Sequence, residues 1–249
     1  MKKVSLIFVL LINLSFISYA QQTVVIGSQV WMTKNLDVAI FRNGDTIPQA
    51  TSEEAWIAAA ENMQPAWCYY NNDPKNGKKY GKLYNWYAVN DPRGLAPMGF
   101  HIPSEEEWNI LNVYLDNGVS SGKKMKSISG WNSDTTGGSK TCPNCKDWSA
   151  EYRKKVPCHT CKDKRSIPDK VKIHSGNGNN SSGFSGLPGG TFNYLKLHFT
   201  SIGWAGCWWS STEVDKDDAN NWLLVYFIDT LCYNVDDKSC GCSVRCLKD

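Results

Sequence analysis

Histidine is scarce in this chain, with four in 249 residues at positions 101, 159, 174 and 198, and no two stand at a ligand spacing. The sequence also holds no H-E-x-x-H, no G-x-S-x-G and no glycine-rich phosphate loop. Those absences close the familiar routes to zinc protease, serine hydrolase and nucleotide chemistry. Beyond the N-terminus there is no apolar run of about 20 residues, so no membrane-spanning helix is expected. Two carboxylate groupings remain. Glu105, Glu106 and Glu107 share one predicted helical turn beside a capping serine, which explains them as helix-start chemistry. Glu213 and Asp215 are an available acid and base pair on what reads as a solvated loop.

What is present begins with MKKVSLIFVLLINLSFISYA, two lysines followed by an apolar run from Val4 to about Ile17 and small residues at Ser18 and Ala20. This pattern predicts a secretory leader cleaved after Ala20, and with no cysteine following that site a lipid anchor is not expected. The protein is thus expected in a periplasm or outside the cell, as one domain over residues 21–249. Eleven tryptophans and twenty glycines predict a loop-rich fold in which large rings pin irregular backbone. Trp204, Trp208 and Trp209, with Phe184 and Glu213, are the candidate ligand-contacting residues. They lie in GWAGCWWSSTE and GFSGLPGG, where aromatics sit among glycines.

Charge is uneven along the chain. Residues 123–172 carry thirteen Lys or Arg against five Asp or Glu, although the whole sequence is only +3. In a cytoplasmic protein that segment would suggest nucleic acid. Export argues against this and leaves an anionic polysaccharide, or a simply solvated insert.

Within the same segment, CPNCKDWSAEYRKKVPCHTC places Cys142, Cys145, Cys158 and Cys161 in two C-x-x-C pairs. Four such ligands suffice for tetrahedral zinc, and a structural zinc contributes on the order of 10 kcal/mol to ordering a coreless insert. An oxidising compartment offers the alternative of two disulfides, each stabilising by roughly 3 kcal/mol. Both readings of this insert, at about 135–172, stay open. A thioredoxin-like role lacks the surrounding βαβ pattern, and His159 inside the second pair is read as solvent-facing. The other six cysteines, Cys68, Cys207, Cys232, Cys240, Cys242 and Cys246, are disulfide candidates. A copper or zinc site at CGCSVRC is the alternative for the last of them.

Ser104 and Glu107 in GFHIPSEEEWNILNVYLDNG form a capping box ahead of Trp108, Leu111 and Leu115 at helical spacing. A helix is expected over about 105–117, its apolar face widened by Ile110 and Tyr114. TSEEAWIAAAEN repeats the capping spacing at Thr51 and Glu54, and YGKLYNWYAVN fits a helix or a strand. GWAGCWWSST, NNWLLVYFI and CGCSVRCLKD read as strands, and HSGNGNNSSGFSGLPGGTF as loop. The expected class is α+β, with helices early and strands late.

The ordered set VVIGSQVWMTKNL, AWCYYNND, YGKLYNWYAVN, GFHIPSEEEW, NSSGFSGLPGG, WWSSTE and SVRCLKD resembles the Fibrobacter succinogenes major paralogous domain family. That family is found largely in secreted or surface proteins of Bacteroidetes-type bacteria. The resemblance implies a surface location and, since Cys68 and Cys246 sit in family-like segments, their pairing first. More distantly, GFHIPSEEEW and SVRCLKD are similar to segments of the formylglycine-generating enzyme family. This implies a C-type-lectin-like fold and favours a helix at YGKLYNWYAVN. That enzyme holds copper on a close cysteine pair, whereas here only Cys207 stands in the comparable region. The calcium-dependent sugar site of C-type lectins is not matched either: Gln64 and Pro65 are followed by Ala66, which leaves only Asp215, Asp217 and Asp218 as oxygen ligands.

The sequence therefore reads as a secreted, non-catalytic surface or binding module contacting polysaccharide, a cell-envelope polymer or another surface protein. The alternatives are an oxidase-like enzyme with altered metal chemistry and a structural component of a surface assembly. No motif speaks to oligomeric state.

Overall fold

A computed structural model of the chain describes residues 22–116, 119–133 and 175–249. The leader-like residues 1–20 and the C-x-x-C pairs at Cys142, Cys145, Cys158 and Cys161, with His159, lie outside the described residues. The chain opens with a hairpin, β1 (Thr23–Ile26) and β2 (Gln29–Met32), turned through Gly27 at φ 63. A side chain at Gly27 would also strike the Tyr114 ring, 2.9 Å from where its Cβ would stand. Then come α1 (Glu53–Glu61), β3 (Trp67–Cys68), a short 3₁₀ turn (Tyr70–Asn72), α2 (Pro74–Tyr80), β4 (Leu83–Tyr84), α3 (Trp86–Val89), β5 (Phe100–His101), α4 (Glu105–Tyr114) and α5 (Ser121–Met125). The second half is β6 (Gly189–Asn193), β7 (His198–Ile202), β8 (Ala205–Glu213), β9 (Asp218–Val225), β10 (Leu231–Asp237) and β11 (Leu247–Lys248).

The class is α+β, as expected, but strands do not only come late. The last strand returns to the first hairpin, giving a sheet of order β1-β2-β11-β5 that ties the two ends of the domain together. A second sheet runs β10-β9-β8-β6-β7, antiparallel except where β6 meets β8 in parallel at Gly190 and Gly206. Gly190 adopts φ 70, and a Cβ there would lie 2.5 Å from the Thr200 carbonyl oxygen, so the crossing tolerates only glycine. β3 and β4 make a small separate pair.

Several local expectations shift. The capping box at Ser104 and Glu107 forms, with the Ser104 N–H donating to Glu107 Oε2 at 2.8 Å, but α4 ends at Tyr114. Trp108, Leu111 and Leu115 are buried while Ile110 and Tyr114 are exposed, so the buried stripe is narrower than the apolar pattern suggested. α1 is capped by Ser52, whose hydroxyl accepts from the Ala55 N–H, rather than by Thr51. YGKLYNWYAVN divides into β4 and α3, with Asn85 between them as N-cap. The GGTF end of the expected loop is strand β6. CGCSVRCLKD contributes only two regular strand residues, plus isolated bridges at Gly241, Cys242 and Ser243. The strand β10 was not foreseen.

The core is aromatic. Trp108 packs with Trp31, Phe184, Trp208 and Trp222 at ring separations of 4.7 to 6.5 Å. Outside it, His101 fastens the C-terminus to α4. Its Nδ1 lies 2.8 Å from Asp249 Oδ1 and its Nε2 2.9 Å from Glu107 Oε1. Burial opposes charging of His101, but its bonds to Asp249 and Glu107 outweigh this and raise its pKa above 6.5. Burial likewise disfavours the Glu107 carboxylate, yet the Ser104 and His101 bonds hold it below 4.5.

The histidine contribution is complete below its unfolded value of 6.5 and is lost as pH rises through the higher folded pKa. The glutamate contribution is complete above 4.5 and is lost as pH falls through the lower folded pKa. Urea unfolding followed across pH should therefore show the clamp fully effective between those two values. His101→Gln should flatten the alkaline limb, and an unchanged limb in that variant would refute the clamp.

Candidate functional site

Of the five ligand-contacting candidates, the structure leaves one freely presented. Phe184, Trp208 and Trp209 are wholly buried: the glycines around them let the indoles sink into the core. Gly206, for example, leaves room for the Trp208 ring, which would stand 2.4 Å from a Cβ there. Most of GFSGLPGG is buried or half-buried with them. Trp204 is exposed, its ring edge-on to Tyr226 at 4.9 Å.

Glu213 is engaged. It forms an ion pair with Lys238, whose ammonium also donates to the carbonyl oxygens of Asp215 (2.6 Å) and Lys216 (2.9 Å) and sits 5.0 Å over the Trp86 ring. The acidic loop that offered oxygen ligands for calcium thus closes around an ammonium of the chain itself. Asp215 turns inward to the loop, accepting from the Asp217 and Asp218 N–H groups, which hold its pKa below the usual range. Glu213 and Asp215 are accordingly structural, not an acid and base pair. Lys82 repeats the device on Asp37, and Lys126 on the carbonyls of Val225, Tyr226 and Ile228.

An open cleft of about 270 Å³ lies between residues 63–65 on one lip and 86–87 with 90–93 on the other. Its first lip is the end of α1. Met63 takes φ 50, its N–H donates to the Ala60 carbonyl, and the Gln64 N–H donates to the Ala59 carbonyl. This is a Schellman closure with methionine in the left-handed position usually given to glycine. The residue so placed is apolar and exposed.

The second lip is α3 and the turn after it. Asn85, fully buried, staples the two lips together: its Oδ1 accepts from the Ala66 and Ala88 N–H groups, and its Nδ2 donates to the Gln64 carbonyl. Trp86 is fixed by donating from Nε1 to the Ser210 carbonyl at 2.9 Å. Asp91 grips Arg93 in a fork, with Nε to Oδ1 and Nη2 to Oδ2 both at 2.8 Å, and the guanidinium lies 4.2 Å over the Phe41 ring. The Arg93 bond is the main cause of a lowered Asp91 pKa. The cleft carboxylate is therefore ionised and neutralised in place, which suits positioning and not proton transfer.

Neither lip stood out in the sequence as a site. Gln64 and Pro65 drew notice only as a departure from a calcium-binding tripeptide, and Tyr87 lay in a stretch of uncertain structure.

The six described cysteines are all buried, and no two are bonded to each other. The atoms that could hold a metal gather at one place among the described residues: the sulfurs of Cys207 and Cys242 with a carboxylate oxygen of Asp236. No helix among the described residues is long and apolar enough to cross a membrane. A family model described as the Fibrobacter succinogenes major domain matches residues 24–248. No curated protein and no solved structure matches the chain.

Proposed function

The chain belongs to the Fibrobacter succinogenes major domain family, and we propose that it is a secreted, non-catalytic recognition module whose ligand is a neutral polysaccharide. The observation that carries this reading is the cleft between Met63 and Arg93. It combines a half-buried tyrosine, Tyr87, with an exposed amide, Asn90, and the Asp91–Arg93 ion pair, which Asp45 also joins. A hydroxyl-rich polymer offers faces for the ring and donors and acceptors for the amide and the ion pair, without requiring a counter-charge. Met63, exposed on the opposite lip, supplies apolar contact for a sugar's C–H face.

Export is supported by the leader-like first twenty residues. The C-type-lectin-like assignment is part of the same reading, supported by the pairing of the terminal strands and the loop-rich second half. Zinc at Cys142, Cys145, Cys158 and Cys161, or disulfides in its place, is proposed for the insert on its spacing alone.

Titration of the full chain with a panel of soluble neutral and acidic glycans should give saturable binding for a neutral member. Tyr87→Ala should weaken that binding roughly two- to tenfold while leaving the unfolding temperature nearly unchanged, since stacking on one ring is worth about 0.5–1.5 kcal/mol. Preference for an acidic glycan, or equal affinity in Tyr87→Ala, would refute the assignment.

A further inference from the structure

Cys207 and Cys242 are distant in sequence but neighbours in the fold, because the segment around Ser243 runs parallel to β8. Ser243 pairs with Trp208, its N–H donating to the Cys207 carbonyl at 3.1 Å and its carbonyl accepting from Trp209 at 3.0 Å. One register step back, Cys207 and Cys242 stand side by side and face the same way. β10 brings Asp236 to the same point. Both sulfurs and one Asp236 carboxylate oxygen lie within 4.8 Å of one another. Cys207 and Cys242 are fully buried, and Asp236 is half-buried.

A carboxylate set against two buried thiols has no charge-compensating partner among the described residues. Its hydrogen bonds come from amides, Asn221 Nδ2 at 2.8 Å and Asn234 Nδ2 at 3.0 Å, and both donate to Oδ2. The pair orients the carboxylate through one of its oxygens. This is how a carboxylate that ligates a metal is held from behind.

We infer that Cys207, Cys242 and Asp236 form a binding site for one zinc-like cation, separate from the four cysteines of the insert. The carboxylate is what favours a cation here over a disulfide. Zinc bonds of about 2.3 Å to sulfur and about 2.1 Å to oxygen set neighbouring tetrahedral ligands roughly 3.5–3.8 Å apart, which the cluster reaches by small side-chain shifts. A disulfide would draw the sulfurs to about 2.05 Å and leave the carboxylate uncompensated beside them. The cation reverses the local electrostatics. Burial raises both thiols above their ordinary range and pushes Asp236 up to about 6, whereas two positive charges at the centre stabilise both thiolates and the carboxylate. Three protein ligands leave one position open.

The test uses the full chain with Cys142, Cys145, Cys158 and Cys161 replaced by serine, so that only this cluster remains to be filled. Native mass spectrometry after equilibration with zinc should show one bound ion. Cobalt in its place should give a thiolate charge-transfer band, and the metal should protect Cys207 and Cys242 from alkylation. Adding Cys207→Ser should abolish the band. Asp236→Asn, which keeps the shape and the bond from Asn221, should weaken zinc at least tenfold while the near-ultraviolet circular dichroism stays native. No bound zinc, a peptide map showing a Cys207–Cys242 disulfide in the secreted protein, or undiminished zinc in Asp236→Asn would each overturn the proposal.

Discussion

Arg245→Met should lower the stability of the domain by about 2–6 kcal/mol, the loss expected when two buried carbonyls are left without their donor. Arg245 is 1% exposed, and none of its hydrogen-bond acceptors is a carboxylate. Its Nε and Nη2 donate to Asn35 Oδ1 at 3.0 and 2.6 Å, and its Nη1 donates to the carbonyls of Met32 and Phe184. The guanidinium also lies 4.4 Å over the Phe184 ring and 5.8 Å over that of Trp208. Burial pushes its pKa down to about 9, so even this cation is under strain to stay charged.

Methionine would fill most of the volume and remove that strain, but it would take this donor from the Met32 and Phe184 carbonyls, each costing about 1–3 kcal/mol, while Asn35 Oδ1 keeps its bond from Trp208 Nε1. The second effect is therefore expected to win. Arg245→Lys should recover less than half, because a single ammonium cannot reproduce the fork that reaches Asn35, Met32 and Phe184 together. Urea unfolding of the three proteins decides it. A methionine variant within about 1 kcal/mol of the parent would mean that ring packing, not donation, is what Arg245 supplies.

The features legible in the sequence were those written locally. α4 could be placed because Ser104, Glu107 and the Trp108, Leu111, Leu115 spacing all lie within a few turns. β8 and most of β9 could be placed from short aromatic and aliphatic runs between breakers. What escaped depends on remote partners. β10 is buried through most of its length, so LCYNVDD shows no alternation. Phe184, Trp208 and Trp209 looked like surface rings because glycine-rich stretches suggest solvent, whereas here glycine is what lets the rings pack inward. Lys82, Lys126 and Lys238 look like any surface lysine, since the carbonyls they cap lie between 22 and 102 residues away. The juxtaposition of Cys207 with Cys242 arises from a parallel pairing of two segments that only the closed fold brings together.

These buried cations share one role, which also bears on the cleft. A fold with so much irregular backbone has many carbonyls that no strand or helix can satisfy, and each must find a donor. Lys238 closes the 213–218 loop beneath Trp86, and the Trp86 N–H donates in turn to the Lys238 carbonyl at 2.8 Å. The lip carrying Tyr87 thus rests on a lysine in the far half of the chain. Lys126, whose ammonium is pushed by burial down to about 8, does the same for the turn after β9. Rigid lips of this kind are what a recognition cleft needs if binding is not to spend its free energy ordering loops.

Trp108 carries the second large effect. Trp108→Ala should destabilise by about 3–5 kcal/mol, as large-to-small changes at fully packed aromatic positions do, and Trp108→Phe should cost less than half of that. The indole is wholly buried and touches Trp31, Phe184, Trp208 and Trp222, rings supplied by β2, the loop before β6, β8 and β9. Removing it opens a cavity where both sheets and α4 meet.

Its N–H, however, has no hydrogen-bond partner among the described residues. Phenylalanine would thus give up no polar contact, would relieve one buried donor, and would lose only the volume of the second ring. Unfolding free energies for the two variants should separate by about 2 kcal/mol or more. If Trp108→Phe proved as damaging as Trp108→Ala, the indole nitrogen would have to be hydrogen-bonded. The aromatic cluster would then be organised by a polar contact at its centre and not by packing alone.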